Sequence, residues 1–417
     1  MKCFQKAVSL CSGMLLVGLL LLNCQTSADK KGTEPFLQEH IEWLSSDERA
    51  GRLAGSQQEA AAANYISDFY LQAGLLPFVD SESYIQQFVL NGPMVQALGM
   101  ENHISRNVVG AVEGTEYPGR FIIVGAHYDG QGKGGIISME TNTDPVLHNS
   151  ADDNASGTAG LMWLAGQFAE NPAKSTVIFA AFSGEEMGLL GSEYFADQMV
   201  MPRDSVLAMI NLDMIGRLDD RQLSIFGTGT ANIWDDLIEG IPADSLRITK
   251  IPDGMGSSDH ASFSRTGIPV LHYFTGTHED YHRPTDTADK INYRGMEWVL
   301  NHTKQTIRSL DTYHPSEILF NEAGSRDRSP TVLEGVTLGV VPDYNFSGAG
   351  FRIAEVRSGS LAEESGIQDG DVIFRMNEDT IADIYSYMET LSGFSDGDDV
   401  IIYILRNGSE IDLAVQF

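Results

Sequence analysis

Phe121-Ile122-Ile123-Val124-Gly125-Ala126-His127-Tyr128-Asp129 is the stretch on which the fold turns. Residues 121–125 are β-rich and apolar, and the run ends on a histidine and an aspartate two residues apart. Four further runs read as strands, at 107–112, 176–182, 205–213 and 269–274. Helical patterns fall around and between them. Residues 36–53 have helical spacing and close on a turn at 49–52. Gln57–Ala73 is rich in alanine, with Tyr65, Ile66, Phe69 and Tyr70 on its apolar side and Gly74 placed to end it. Residues 156–169, 188–198 and 296–310 complete the set. Strands that alternate with helices imply an α/β fold, with a mostly parallel central sheet and helices on both faces. Such sheets bind ligands at the C-terminal ends of their strands.

The whole chain has 417 residues, with 27 Lys+Arg against 58 Asp+Glu and a formal net charge of −31. Its 42% of apolar residues can supply a core, which argues against disorder as the main state. A chain this acidic, without a local basic patch, excludes nucleic acid as a partner. Only one stretch is apolar enough to suggest a membrane, and it lies at the start. Lys2 and Lys6 precede the apolar run 14–22, the arrangement of a secretory signal. Leu21-Leu22-Asn23-Cys24 resembles the lipobox of bacterial lipoproteins, with Asn23 where a smaller residue is usual. The expectation is a signal peptide over 1–23, a polar tether over 24–35, and an exported periplasmic or cell-envelope lipoprotein. It would be held to the membrane by a lipid on Cys24. Cys3, Cys11 and Cys24 are the only cysteines, so the mature fold would use neither disulfides nor thiolate chemistry.

Five segments carry residues that bind metals. His127 closes the first, with Asp129 placed to accept the proton of its second ring nitrogen. Ser150-Ala151-Asp152-Asp153-Asn154-Ala155-Ser156-Gly157 puts two acids just before a helix. A helix cap would use one such side chain; a carboxylate bridging two metals would need the same rigid, glycine-relieved turn. Ser183-Gly184-Glu185-Glu186 follows an apolar strand, and adjacent glutamates there can divide metal binding from proton transfer. Asp213 ends an apolar run and needs a partner, either a metal or an arginine. His282 sits in the turn-rich Glu279-Asp280-Tyr281-His282-Arg283-Pro284-Thr285-Asp286-Thr287. Two histidines and three carboxylates with a spare glutamate suit two borderline divalent cations, most plausibly zinc. His127 and Asp213 could serve one ion, Glu186 and His282 the other, and Asp153 both.

The order of these motifs closely resembles the secreted bacterial di-zinc aminopeptidase family over roughly residues 36–316. The resemblance implies a zinc-exopeptidase-like fold and two Zn²⁺ ions. It implies the ligands His127, Asp153, Glu186, Asp213 and His282, with Asp153 rather than Asp152 at the bridging position. It implies Glu185 as general base, Asp129 as the partner of His127, and Tyr281 as a hydroxyl that steadies an oxyanion. The substrates would be peptides with a free N-terminus. Ser257-Ser258-Asp259-His260 and Phe263 look like the family's segment beside the substrate pocket, where His260 is equally well explained as structural. Met255, Phe263, Tyr273 and Phe274 are candidate walls of an apolar pocket for the N-terminal side chain.

The peptidase domain is expected over 36–318, a linker over 319–330, and a second module over 331–417. Short strand patterns, glycine turns and the run Gly366-Ile367-Gln368-Asp369-Gly370-Asp371-Val372-Ile373 make that module resemble a PDZ domain, small and β-rich. The resemblance implies that Leu338, Gly339 and Val340 hold a C-terminal peptide, which would add as a strand. Packing against the peptidase is the other use for such a module. Two competing functions deserve weight. One is a glutaminyl-cyclase-like acyltransferase on the same fold with one zinc; residues 153–157 favour the peptidase, since cyclase relatives usually lack the Ala-Ser-Gly. The other is a binding protein with a dead site, disfavoured because no ligand or base is missing.

Overall fold

A computed structural model describes residues 32–139, 145–243, 245–323, 336–343, 346, 348–357, 359–382, 386–387, 390–391 and 393–417. The expected signal peptide, Cys24 and most of the tether lie outside these residues, as do 324–330 of the expected linker. Among the described residues no helix is long and apolar enough to cross a membrane.

The first module is a nine-stranded sheet between two layers of helices. Its strands are β1 (Leu76–Pro77), β2 (Ile85–Val89), β3 (Ile104–Val112), β4 (Tyr117–His127), β5 (Ser175–Phe182), β6 (Val206–Leu212), β7 (Gln222–Phe226), β8 (Arg247–Ile251) and β9 (Val270–Phe274). Its helices are α1 (Thr33–Leu44), α2 (Gln57–Ala73), α3 (Pro93–Ala97), α4 (Gly157–Glu170), α5 (Leu190–Asp197), α6 (Trp234–Glu239), α7 (His260–Ser264) and α8 (Tyr293–Leu310). The order across the sheet is β1-β3-β5-β4-β6-β9-β7-β8, with β2 paired to β3.

The centre, β5-β4-β6-β9, is parallel throughout. The flanks are mixed: β3 runs antiparallel to β5, β1 and β2, and β7 runs antiparallel to β9 but parallel to β8. The sheet is therefore mixed rather than uniformly parallel. The cause is local, because β3 and β4 are joined by only a few residues, too few for a parallel crossover. The central strands are buried on both faces, which is why they read as unbroken apolar runs. Ile122, Val124 and Ala126 of β4 face a core shared with α1, α2, α4 and α8. Ile123 faces the other way, into a core with Phe195 of α5 and Phe263 of α7.

Local chemistry sets the helix ends. The Ser56 hydroxyl accepts from the Glu59 N–H at 3.1 Å and opens α2, and Gly74 closes it in the left-handed region at φ 82°. In α8, Met296, Val299, Leu300, Thr303, Ile307 and Leu310 recur at helical spacing and form the buried face. Residues 319–323, expected to belong to the linker, are bound to the first module. Phe320 bridges to Ala231, the Asn321 N–H donates to Thr230 O at 2.8 Å, and Ala323 O accepts from Gly254 at 3.1 Å.

The second module is a six-stranded sheet of β10 (Val340–Pro342), β11 (Phe351–Val356), β12 (Val372–Met376), β13 (Asp379–Thr380), β14 (Asp399–Arg406) and β15 (Ser409–Gln416), with a short helix α9 (Leu361–Glu364). It has its own core around Leu338, Phe351, Ile353, Ile373, Ile402 and Ile404. The Arg406 guanidinium holds the buried Asp371 by two bonds, of 2.8 and 2.7 Å. Residues 381–391, whose sequence spacing reads as helical, fall partly outside the described residues. Among the described residues, β10 pairs only with β11 and lies at an edge of the sheet.

Candidate metal centre

The site lies where the four parallel strands end. His127 is the last residue of β4, Glu185 and Glu186 follow β5, and Asp213 follows β6. Chain direction explains why they meet. β4 leads through α4 to β5 on one side, and β5 leads through α5 to β6 on the other. The two helices cover opposite faces, so a crevice opens beyond the end of β4.

Asp153 comes from a turn that is bonded from several directions. The buried Asp286 carboxylate accepts the Asp152 N–H at 2.9 Å and the Asp153 N–H at 3.1 Å. Asn154 donates to Leu212 O at 3.0 Å and accepts from the N–H groups of Gly157 at 2.8 Å and Met214 at 3.2 Å. Asn154 thus serves the start of α4, and the Asp153 side chain is left for the site. A Cβ on Gly157 would lie 2.3 Å from Leu212 O, so only glycine lets α4 begin against the end of β6.

The Asp153 carboxylate faces two ways. Oδ1 lies 3.3 Å from His127 Nε2, and Oδ2 lies 3.1 Å from His282 Nε2. His127 Nε2 is also 3.3 Å from Asp213 Oδ1 and 4.0 Å from Glu185 Oε2. His282 Nε2 is 3.5 Å from Glu186 Oε2. Two donor groups result: His127, Glu185 and Asp213, and Asp153, Glu186 and His282. Within each, one ligand atom per residue lies within 4.8 Å of the others.

The electrostatics show a site short of positive charge. Burial and nearby acids push Glu186 up to about 8 and Glu185 well above the carboxylate range, despite the histidines beside them. Burial would hold His127 neutral, but Asp213, Glu185, Asp129 and Asp153 outweigh it and raise its pKa well above the usual value. Asp153 is buried too, yet hydrogen bonds from both histidines keep its pKa below the ordinary range. Glu186 Oε1 and Asp129 Oδ2 are buried without a hydrogen-bond partner among the described residues. Imidazole nitrogens and carboxylate oxygens converging on two points, with unpaired oxygens among them, fit divalent cations of zinc's type.

Asp129 lies behind His127, with Oδ1 at 3.6 Å from Nδ1, beyond hydrogen-bond length. The same oxygen accepts the Glu185 N–H at 3.3 Å. Tyr281 packs on His282 with ring centroids 3.9 Å apart and lines the cavity next to the donor groups. That cavity holds about 370 Å³. Of the four candidate pocket walls, Met255 and Phe274 line it. Phe263 and Tyr273 do not. Phe263 is buried beneath the sheet, and Tyr273 alternates to the other face of β9, where its hydroxyl meets Thr306 at 2.8 Å. Ser258 and His260 line the cavity, and the Asp259 carboxyl is buried with its pKa pushed up to about 7, burial being the main cause.

Three supporting residues escaped the sequence reading. Arg52 is fully buried and donates to the carbonyls of Leu44 (2.6 Å), Tyr128 (2.8 Å), Asn149 (3.0 Å) and Ser150 (2.9 Å). It joins the turns that carry Asp129 and Asp153. Its signal was the preceding Gly51, at φ 70°, where a Cβ would lie 2.4 Å from Gly132 O. Asp286 stood inside a quoted motif without a role. Gln131, whose Nε2 lies 3.4 Å from Glu186 Oε2, gave no signal.

In the second module, Leu338 is buried in the core and Gly339 adopts φ 75°. A Cβ on Gly339 would sit 2.5 Å from Ser360 Cβ. The Gly339 N–H is engaged by Thr337 Oγ1 at 3.2 Å, and the Leu338 carbonyl accepts from Ala362 at 2.8 Å.

The first module is thus an α/β domain with two groups of metal donors at its strand ends, and the comparisons say what it resembles. Residues 107–307 match Peptidase family M28, and residues 329–417 match the PDZ domain. The peptidase match spans just under half of the chain, and the PDZ match follows it.

Among curated relatives, a probable zinc metalloprotease of Pyrenophora tritici-repentis is 35% identical over 134 residues, 30% of this chain and 29% of that protein. Aminopeptidase YwaD of Bacillus subtilis is 29% identical over 214 residues, 47% of this chain and 42% of that protein. The chain therefore spans less than half the length of either. Among solved structures, BSAP, a zinc aminopeptidase from Bacillus subtilis, superposes with a TM-score of 0.54 at 18% identity, over 69% of this chain and 98% of that one. A glutaminyl cyclase from Bacteroides thetaiotaomicron does so with 0.54 at 14%, over 66% and 97%. At these identities the likeness is one of fold.

Proposed function

We propose that the protein is a zinc-dependent aminopeptidase with a dinuclear centre. The observation that carries this reading is the placement of Asp153, one oxygen towards each histidine, between two donor groups. His127 and Asp213 would hold one zinc, Glu186 and His282 the other, and Asp153 both. Bound zinc supplies Lewis acidity and a water of lowered pKa. Glu185 is the general base: it takes the proton from the attacking water and returns it to the leaving amine. The Asp129 bond to its N–H supports that role by fixing the turn. Tyr281, on the cavity wall, is placed to donate its hydroxyl to a developing oxyanion. The carboxylates around the site favour a substrate's free α-ammonium group, hence removal of N-terminal residues from peptides.

A one-zinc glutaminyl-cyclase-like acyltransferase shares the fold. The second donor group speaks against it. The module at 329–417 is proposed to take a C-terminal peptide at Leu338, Gly339 and Val340, because β10 is an edge to which a strand can add. Export as a lipoprotein anchored through Cys24 remains the reading for the N-terminal segment.

The test is metal content with hydrolysis of an aminoacyl amide series. About two zinc per chain and a loss of about a thousandfold or more in kcat for Glu185→Gln are expected. One zinc per chain, or full activity in the variant, overturns the reading.

A further inference from the structure

His260 and His272 stack face to face, with ring centroids 4.5 Å apart and planes 5° apart. Both line the cavity that also carries Glu185, Asp213 and Tyr281. Asn211 Nδ2 donates to His272 Nδ1 at 3.2 Å and to Ser258 Oγ at 2.8 Å, which leaves the proton of a neutral His272 on Nε2. Burial, with each ring opposing charge on its neighbour or on His127, holds both histidines neutral: His272 is pushed down to about 4 and His260 well below its usual value.

His260 is the unusual member. Both its ring nitrogens are buried, and among the described residues neither has a hydrogen-bond partner. A neutral imidazole carries one donor and one acceptor, and leaving both unmet inside a protein is costly. Met94, Leu189, Phe226, Met255 and Phe274 supply the apolar part of the wall, and Ser257, Ser258 and Thr277 line it as small polar residues. An anionic side chain would meet Glu185, Glu186 and Asp213. A cationic one would leave water for phenyl and thioether groups. A flat apolar body ending in a hydroxyl meets neither obstacle, and the hydroxyl satisfies the imidazole.

We propose that this cavity selects an N-terminal tyrosine and that His260 is the residue that reads its phenol. The proposal rests on the aminopeptidase reading and names its substrate class.

The zinc-loaded protein is assayed with tyrosinamide and phenylalaninamide. A ratio of kcat/KM of about tenfold for tyrosine is expected, the factor of one good hydrogen bond. His260→Phe, which keeps a ring against His272, brings the ratio near one. Equal rates in the wild type overturn the proposal, as does a ratio that survives His260→Phe in a variant shown to be folded by its melting transition. Binding of both amides to zinc-loaded Glu185→Gln, followed by calorimetry, is read separately. Tighter binding of tyrosinamide supports the pocket even where no amide is hydrolysed, and in that case the aminopeptidase reading is what fails. Equal binding overturns the pocket.

Discussion

The Ser258 hydroxyl donates to Asp213 Oδ2 at 2.6 Å, and so fixes one oxygen of a candidate metal ligand while the other faces His127. A ligand oriented in this way loses less freedom when an ion arrives. Ser258→Ala removes the bond without touching either donor group. Zinc affinity is expected to fall about tenfold, measured by competition with a chromophoric chelator.

Asp286 supports Asp153, the proposed bridging ligand, from behind. Its carboxylate accepts two consecutive backbone N–H groups, those of Asp152 and Asp153. Asp286→Ala leaves both donors buried and unmet, at a cost of about 2 kcal/mol in stability. The freed Asp153 turn also lowers zinc stoichiometry below that of the wild type. Urea denaturation and atomic spectroscopy read the two effects.

Arg52 joins four carbonyls from three separate stretches of chain. Arg52→Met preserves much of the apolar stem and leaves all four carbonyls without their donor. A loss of about 3 kcal/mol or more is expected. Arg52→Lys should recover only a part, because an ammonium cannot reproduce the planar fork. Both are read by chemical denaturation.

The metal-free protein should lose stability as pH rises from about 6.5 to 8.5. Glu186 is raised to about 8, and Asp259 and Asp286 to about 7, by burial first and neighbouring acids next. In this range the folded state binds more protons than the unfolded chain, so stability falls with pH. The raised His127 and His282 act in the same direction. The depressed His260 and His272 act in the opposite one, but only below their unfolded pKa of about 6.5. Thermal melts across the range, with and without zinc, check this. The zinc-loaded protein should show the flatter profile, since bound cations replace the protons.

Much of the centre was legible because His127, Glu185, Glu186 and Asp213 end or follow apolar strands, while Asp153 and His282 sit in turns that carry their own local signals. His127 and Asp213 follow runs that only a buried strand explains, and the fold then brings their ends together. Gln57–Ala73 was legible to the residue, since Ser56 and Gly74 mark its ends chemically. Arg52 was not, because its partners are main-chain carbonyls, which any sequence offers. β7 and β8 were missed because they are short and only partly buried. The flanking antiparallel pairings depend on connection length rather than on side-chain pattern. Tyr273 and Phe274 are adjacent in sequence and face opposite layers, so nearness along the chain could not say which would line the cavity.

Asp129 reaches in two directions through a single oxygen, towards the His127 ring and to the Glu185 N–H. On the proposed reading, the grip on the ion and the aim of the base are tied to one residue and do not vary as separate traits. A change at this position alters both together. A lineage that drifts towards another metal or another reaction would have to begin elsewhere, in the residues around the cavity, and leave this aspartate alone.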